Sequence, residues 1–429
     1  MLEVAAYKYP QAEQRIEAYA ADKVFIPLSQ HIGAPAKAVV KKGDALKLGQ
    51  LIGQVSAKVS AAVHSSREGK VEDIKIFNHP TLAKAPAVVI RSTELKEEKT
   101  WEVRDLKENL ERDSLVNIVK ESGIVGMGGA GFPTHIKLLP PKNIDVLIIN
   151  GAECEPYLSC DYRLMLEYTE ELLRGVGVLV KILSCRKVFI AIEDNKKEAI
   201  RKINNKINTK DFGFRAKVKI LKSSYPQGAE KQLIYNITKR IVPAGGLPFS
   251  VGVLVQNVAT TFAIYEATYL GKPLFERIVT FAGSCLKEPK NLRLRVGTLI
   301  SELFEKGILQ FRKQPRKVIM GGPMMGVSLD CLDYPILKTT SGVLFMDEVD
   351  IDQRPEDVCI RCGRCVDNCP MNLMPLEFVR LVKKERWKDL DRFYVSDCIE
   401  CGNCAYVCPA KIPLVNYIKI AKAKLKSLA

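Results

Sequence analysis

Eight of the chain's 13 cysteines fall in two runs of a single pattern, C-x2-C-x2-C-x3-C-P. The first is Cys359-Ile-Arg-Cys362-Gly-Arg-Cys365-Val-Asp-Asn-Cys369-Pro370; the second is Cys398-Ile-Glu-Cys401-Gly-Asn-Cys404-Ala-Tyr-Val-Cys408-Pro409. Three thiolates this close in sequence can wrap one face of a 4Fe-4S cubane, while the fourth, set off by three residues and a proline, reaches a neighbouring cluster. The spacing therefore assigns Cys359, Cys362, Cys365 and Cys408 to one cluster, and Cys398, Cys401, Cys404 and Cys369 to the other. Zinc is the competing reading, but zinc ribbons use C-x2-C knuckles with two ligands each, which leaves two cysteines of each run without a role. With a cysteine on every iron, such clusters relay single electrons and carry out no bond chemistry. The other five cysteines, Cys154, Cys160, Cys185, Cys285 and Cys331, are scattered and read as small buried hydrophobes.

Something must load a relay, and the candidate is Gly126-Met-Gly128-Gly129-Ala-Gly131-Phe132-Pro133-Thr134-His135-Ile136-Lys137. It contains G-x-G-x-x-G, yet a helical pattern precedes it and Pro140-Pro141 cuts off the helix that follows, so the ordinary dinucleotide fingerprint fails on context. What remains is four glycines that permit close backbone approach, amide donors for a phosphate, Pro133 at a helix start and Lys137 one turn later as a point charge. A plain turn is the alternative. The second element is Asn150-Gly-Ala-Glu153-Cys-Glu155-Pro156, directly after the apolar run 145–150. Ligands of open α/β sheets sit at the carboxyl ends of strands, where carboxylates can accept from ribityl or ribose hydroxyls or a carboxamide. Solvated loop acids are the alternative there.

These residues need elements to hold them. The run DVLIIN (145–150), a helical pattern around 163–183 and the run KVFIAIED (187–194) form a strand-helix-strand unit, which predicts a parallel sheet covered by helices. Before it, residues 24–90 alternate short apolar runs with Gly and Pro and predict small β structure; after it, 276–346 predicts a small α+β domain. The expected boundaries are 1–95, 96–265, 266–350 and 351–429. With 429 residues, 47% hydrophobic and 27% charged, the chain is multi-domain and globular, neither disordered nor lipid-embedded. The uncharged stretch from Ile241 to Tyr265 could span a bilayer by length, but its prolines, glycines and amides read as loop plus buried strand. MLEVAAYKYPQAEQR lacks a secretory pattern, and cysteines concentrated in one device point to a reducing compartment.

The formal charge of +16 suits nucleic acid, an anionic membrane face or anionic cofactors. Lysines 196, 197, 202, 206, 210, 217, 219 and 222 have little aromatic interleaving and read as a solvated face, so no nucleic acid is expected. The tail carries an apolar stripe, Leu414, Ile418, Ala421, Leu425 and Leu428, that could dock on a partner, on lipid or on its own domain.

Val40 to Gln50, V-x-x-G-D-x-L-x-x-G-Q, with a glycine turn at Gly69, resembles the barrel-sandwich fold of biotinyl and lipoyl carriers. Lys58 lies near the attachment position but without the carrier context, so a structural or docking barrel is expected. G-x-G-G-A-G-F-P-T-x-x-K, N-x-x-E-x-E-P and N-V-x-T resemble the flavin-bearing NADH dehydrogenase subunit of respiratory complex I. With the amino-terminal barrel, EPYLSCDYRLMLE and CIECGNCAYVCPAKIPLVNYIKIAK, the whole order is closer to the C subunits of the Rnf complex, the membrane-bound ferredoxin:NAD oxidoreductase. The resemblance implies a multi-domain α/β and α+β chain: a barrel-sandwich hybrid, a Rossmann-like FMN/NADH domain, a β-grasp (soluble-ligand-binding) domain and a helical two-cluster ferredoxin-like domain.

It implies FMN held by Gly126, Gly128, Gly129, Gly131, Lys137, Asn150 and Glu153, with Asn257 and Thr260 near its phosphate. Phe132 and Glu155 fall on nicotinamide-side positions, Glu230 matches a later glutamate, and Phe249 is the candidate adenine platform. The chain departs from the complex I pattern at Met127, Ala152 and Leu138 or Leu139, which bears on the adenine and ribose contacts more than on the flavin. The implied activity is hydride exchange between NAD(H) and FMN with single electrons passing through two 4Fe-4S clusters. The setting is the cytoplasmic face of the membrane, beside ferredoxin-like iron-sulfur subunits and integral membrane subunits. Two rivals stay open: a cobalamin reductase-type flavoprotein, and a flavin-free iron-sulfur relay.

Overall fold

The computed structural model describes residues 12–92, 101–104 and 110–428. Most of the amino-terminal segment read for a secretory pattern, and the expected boundary at residue 95, lie outside them.

The amino-terminal barrel is built from two small sheets. Lys23–Pro27, Ala83–Arg91, Gly69–His79 and Ala45–Leu46 form one, and Lys37–Ala38, Leu51–Gln54 and Val63–His64 the other. Alternating Val and Ile send Val24, Ile26, Ile52, Val88 and Ile90 into a common core. Lys58 stands exposed in the bend between Leu51–Gln54 and Val63–His64.

The second unit is a four-stranded, all-parallel sheet in the order Ala216–Leu221, Lys187–Glu193, Val146–Gly151, Val253–Asn257. Lys187–Glu193, Val146–Gly151 and Val253–Asn257 read as largely apolar runs because helices cover both faces, whereas the edge strand Ala216–Leu221 alternates with exposed lysines. The pattern expected over 163–183 is two helices, Cys160–Glu167 and Thr169–Leu183, broken at Tyr168, whose φ of −122° and ψ of 42° leave the helical region. The stretch from Ile241 begins as loop and buried strand, as read, but turns at Asn257 into the helix Val258–Leu270. Among the described residues no helix is long and apolar enough to cross a membrane.

The third unit is a six-stranded mixed sheet in the order Glu17–Tyr19, Lys290–Arg295, Glu276–Ala282, Gly342–Met346, Lys317–Met320, Val327–Leu329, with the helix Ile300–Glu305 beside it. Its first strand comes from the amino-terminal segment, pairing parallel with Lys290–Arg295. Three residues carry no periodicity, so the sequence could not show this crossover. A buried ion-pair network fastens the sheet to the second unit. Glu266 takes Lys272 and Arg293 at 2.9 and 2.8 Å, and Glu276 takes Arg295 at 2.6 Å. Burial alone would raise the Glu276 carboxyl, but the charges of Lys272, Arg293 and Arg295 hold it at about 2.

After Asp350 come the cysteine runs and helices Pro375–Lys383 and Leu414–Leu428. The first part of the tail stripe packs on its own domain, Leu414, Ile418 and Ala421 being buried against Phe378, Leu381 and Val382 and Leu425 partly so, while Leu428 stays exposed. One lysine of the expected solvated face is not solvated. Lys196 is buried, paired with Glu193 at 2.5 Å and donating to the Glu153 carbonyl at 3.3 Å. Two of the scattered cysteines also differ from expectation, Cys331 being exposed and Cys154 half-buried.

Candidate functional site

In the parallel sheet the chain steps outward from Val146–Gly151 through Lys187–Glu193 to Ala216–Leu221, then lays Val253–Asn257 on the other side of Val146–Gly151. Strand order reverses between these two, and their ends carry Asn150 and Asn257 in register. Such a reversal opens the crevice in which doubly wound sheets bind ligands. Asn257 caps the following helix, its Oδ1 accepting from the N–H groups of Ala259 and Thr260 at 2.9 and 3.2 Å. Its Nδ2 donates to Asp161 Oδ2 at 2.7 Å.

The glycine loop lies against this cap. A Cβ on Gly128 would stand 3.0 Å from the Asn257 Cβ, whereas one on Gly129 would meet nothing within 4 Å. Met127 N–H donates to the buried Thr260 hydroxyl at 2.9 Å, so Thr260 holds the loop's backbone. Arg277 donates to the Met127 carbonyl at 3.2 Å. The loop is thus fixed on one side and open at Gly129, a cradle of backbone with room above it. The helix after it is one turn, Thr134–Lys137, ending in a lysine whose Nζ pairs with Glu230 at 2.7 Å.

Of the loop acids, Glu153 is buried and turned to the start of Cys160–Glu167, accepting from Asp161 N–H at 2.9 Å, Tyr162 N–H at 3.4 Å and the Cys160 thiol at 3.4 Å. Asn150 is occupied locally, donating to the Gly228 carbonyl and accepting from Ala152 N–H. Asp161 carries the open valence: its Oδ1 is sealed from solvent and has no hydrogen-bond partner. Burial, and then the charge of Glu153, push this carboxyl up to about 6. Phe132 is partly exposed at the loop, and Phe249 sits half-buried in the turn Pro248–Val251, packed on apolar core.

The two cysteine runs cross. Burial raises the Cys401 thiol to about 11, with the charges of Cys398 and Cys369 adding to it; burial also raises Cys404, again with Cys398, Cys401 and Cys369 as neighbours. Cys365 is raised by burial and then by Cys408 and Cys359. Cys369 of the first run therefore lies beside the first three cysteines of the second, and Cys408 of the second lies near Cys365 of the first. One cavity is lined by Cys369, Cys398, Cys401 and Cys404 together. Four thiols converging on one cavity are a donor set suited to the irons of a cubane cluster.

Tyr225 joins the two sites. Fully buried, it donates from its hydroxyl to the Cys401 carbonyl at 2.8 Å and lies 3.3 Å from Glu155 Oε1. The other oxygen of Glu155 accepts Met324 N–H at 3.1 Å, from a glycine-flanked loop of the third unit. A Cβ on Gly322 would stand 2.2 Å from Glu155, and one on Gly402 would stand 2.7 Å from the Met324 carbonyl, so three units meet at backbone distance here.

A profile described as the Nuo51 FMN-binding domain matches residues 119–266, one described as the RnfC barrel sandwich hybrid domain matches 2–94, and a 4Fe-4S dicluster domain matches 358–412. The C subunit of the proton-translocating ferredoxin:NAD(+) oxidoreductase complex of Clostridium ljungdahlii is 45% identical over 87% of this chain and 81% of its own length. Its Na(+)-translocating counterpart from Acetobacterium woodii is 40% identical over 85% and 82%. The chain belongs to the C-subunit family of ion-translocating ferredoxin:NAD(+) oxidoreductase complexes. The family also includes the C subunit of the Rhodobacter capsulatus ion-translocating oxidoreductase complex, 39% identical over 82% of this chain and 68% of that one. A crystal structure of an NAD+-reducing NiFe-hydrogenase has a TM-score of 0.47 at 18% identity, covering 74% of this chain and 61% of that chain.

As a member of this family the chain combines a barrel-sandwich hybrid, an FMN-binding α/β domain and a 4Fe-4S dicluster domain. Two residues at its sites escaped the sequence. Asp161 lies eight residues beyond Glu153 in what reads as helix, and Tyr225 lies in a loop between Ala216–Leu221 and the helix Glu230–Thr238. The signals that could have found them are the C-D-Y-R and Y-P-Q-G-A-E strings, both adjoining residues already singled out.

Proposed function

We propose that this chain is the NAD(H)-interacting flavoprotein subunit of a membrane-bound, ion-translocating ferredoxin:NAD oxidoreductase, with FMN and two 4Fe-4S clusters. When bound, FMN exchanges a hydride with the nicotinamide on one side and single electrons with the clusters on the other. The residues fit an FMN. The crevice at Asn150 and Asn257 is open above Gly129, Lys137 supplies a cation one turn from the loop, and the partnerless Asp161 Oδ1 suits a ribityl hydroxyl donor. Gly126, Gly128, Gly129 and Gly131 let the backbone approach; Thr260 and Asn257 hold loop and helix start in register; Glu153 fixes Asp161 through its N–H. Phe132, Glu155, Glu230 and Phe249 are proposed on the nicotinamide and adenine side.

The observation that carries the reading is the Tyr225 bridge, one phenol touching the carbonyl of a cluster cysteine and the carboxylate on the nicotinamide side. It keeps the second run against the flavin domain. The clusters are ligated by Cys359, Cys362, Cys365 and Cys408, and by Cys398, Cys401, Cys404 and Cys369. Residues 1–95 serve as a structural barrel, 96–265 as the FMN/NADH domain, 266–350 as a β-grasp soluble-ligand-binding domain and 351–429 as the cluster domain. The subunit sits peripherally on the cytoplasmic face of the membrane through ferredoxin-like and integral membrane partners.

The test is anaerobic purification with iron, sulfide and acid-released flavin quantified, followed by NADH addition under a visible spectrum. About eight irons per chain and one FMN, both bleached by NADH, are expected. Irons without flavin would reduce the chain to a relay.

A further inference from the structure

The amino-terminal barrel has no part in the chemistry above, yet it meets the glycine loop directly, Ile32 N–H donating to the Gly131 carbonyl at 3.4 Å, and again through a buried lysine. Lys338 lies in the turn Leu337–Thr340 that leads into Gly342–Met346, and it is 1% exposed. Its Nζ donates to the Ala62 carbonyl of the barrel and to the Gly123 carbonyl of the flavin domain, both at 2.7 Å. Its backbone N–H donates to Gln30 Oε1 at 3.0 Å. Among the described residues no carboxylate pairs with it; burial alone pushes the ammonium down to about 7.

Both ends of the glycine loop meet the barrel and the turn Leu337–Thr340. At Gly123, with φ of +63°, a Cβ would stand 2.2 Å from the Ala62 carbonyl and 2.8 Å from Lys338 Nζ. At Gly131, with φ of +69°, it would stand 2.8 Å from Thr339 and 3.3 Å from the His31 backbone. Between them Arg277 ties the Thr340 carbonyl to the Met127 carbonyl, at 3.0 and 3.2 Å. The groups facing Lys338 are neutral or cationic. Burial, and then the Lys338 charge, hold His31 at about 4 and His64 at about 3, while burial and then Lys120 lower His135.

We infer that Lys338 is a positioning residue for the flavin: by joining barrel, turn and the base of the glycine loop it sets the cradle that retains FMN. This rests on the flavin reading above. The two carbonyls match the two N–H donors of a neutral amine, so the clasp persists on either side of neutral pH. Its proton linkage has a definite sign. The folded value lies below the ordinary 10.5, so the unfolded chain binds more protons between about 7 and 10.5, and stability rises with pH across that window.

The test compares full-length Lys338→Met and Lys338→Gln with wild type, reading FMN affinity by flavin fluorescence, iron content, and melting temperature from pH 7 to 9. Lys338→Met is expected to weaken FMN at least tenfold with iron unchanged, and to flatten the pH slope of melting. Lys338→Gln, which keeps two N–H donors but has no titrating amine, should recover affinity to within about threefold while the slope stays flat. Wild-type FMN affinity in Lys338→Met, or joint loss of flavin and iron, overturns the inference. Should Lys338→Met not fold, Gln30→Leu loosens the same clasp, and unchanged FMN affinity there overturns it. Wild-type protein that binds no FMN would instead sink the functional reading.

Discussion

The two cysteine runs share a sequence pattern and a local backbone but not an environment. In both, the residue before the second cysteine is left-handed, Arg361 at φ +56° and Glu400 at +55°, and the glycine after it follows, Gly363 at +76° and Gly402 at +86°. Each then makes one short helix, Arg364–Asp367 or Asn403–Tyr406. Around the first run Val358 and Ile360 are 79% and 69% exposed, and Cys359 and Cys362 face solvent. In the second, Cys401, Asn403 and Cys404 are buried, with Tyr225 on the Cys401 carbonyl and Met324 against Gly402. Local sequence makes two equivalent cradles, and docking buries one against the flavin domain while leaving the other open to solvent.

The largest test of this difference removes one ligand from each. Cys401→Ser and Cys362→Ser should each lower iron from about eight to about four per chain. NADH should still bleach the remaining cluster in Cys362→Ser but not in Cys401→Ser, because the cluster against the flavin domain is lost; equal bleaching in both would erase the distinction.

Next is the flavin side. Asp161→Asn should weaken FMN about tenfold or more, equivalent to about one pKa unit of interaction with a charged acceptor. In wild type the folded value of about 6 lies above the ordinary 3.8, so the flavin-free fold loses a stabilising contribution as pH rises across that window. Ligand hydroxyls favour the ionised carboxylate, so FMN affinity should grow as pH rises through about 6. A flat titration from pH 5 to 7.5 would remove Asp161 from the site.

The paired glycines give a smaller and cleaner contrast. Gly363→Ala adds only left-handed strain, about 1 kcal/mol, since its nearest neighbour is Asp367 at 4.0 Å. Gly402→Ala adds a 2.7 Å approach to the Met324 carbonyl and should cost about 3 kcal/mol. Anaerobic urea unfolding of the cluster-loaded protein reads both. Smallest of all, Arg364→Ala, exposed where the second run has buried Asn403, should move stability by no more than about 0.5 kcal/mol.

What the amino-acid order determined by itself was whatever lies within a few residues of itself. The cysteine spacing determined the cluster type, the glycine loop determined a backbone cradle, and the strand-helix-strand unit determined a parallel sheet, because ligand spacing and periodicity are local. Tertiary structure decided the rest. Asp161 matters because Glu153 and Asn257 close around it, and Tyr225 because Cys401 arrives from 176 positions away. Lys196, one lysine among many in a basic stretch, is buried with its ammonium paired to the buried Glu193 and donating to the Glu153 carbonyl. Lys338 looks like any surface lysine until Ala62 and Gly123 converge on it. Burial and the meeting of distant carbonyls are properties of packing, and no residue's type or neighbours in sequence encode them alone.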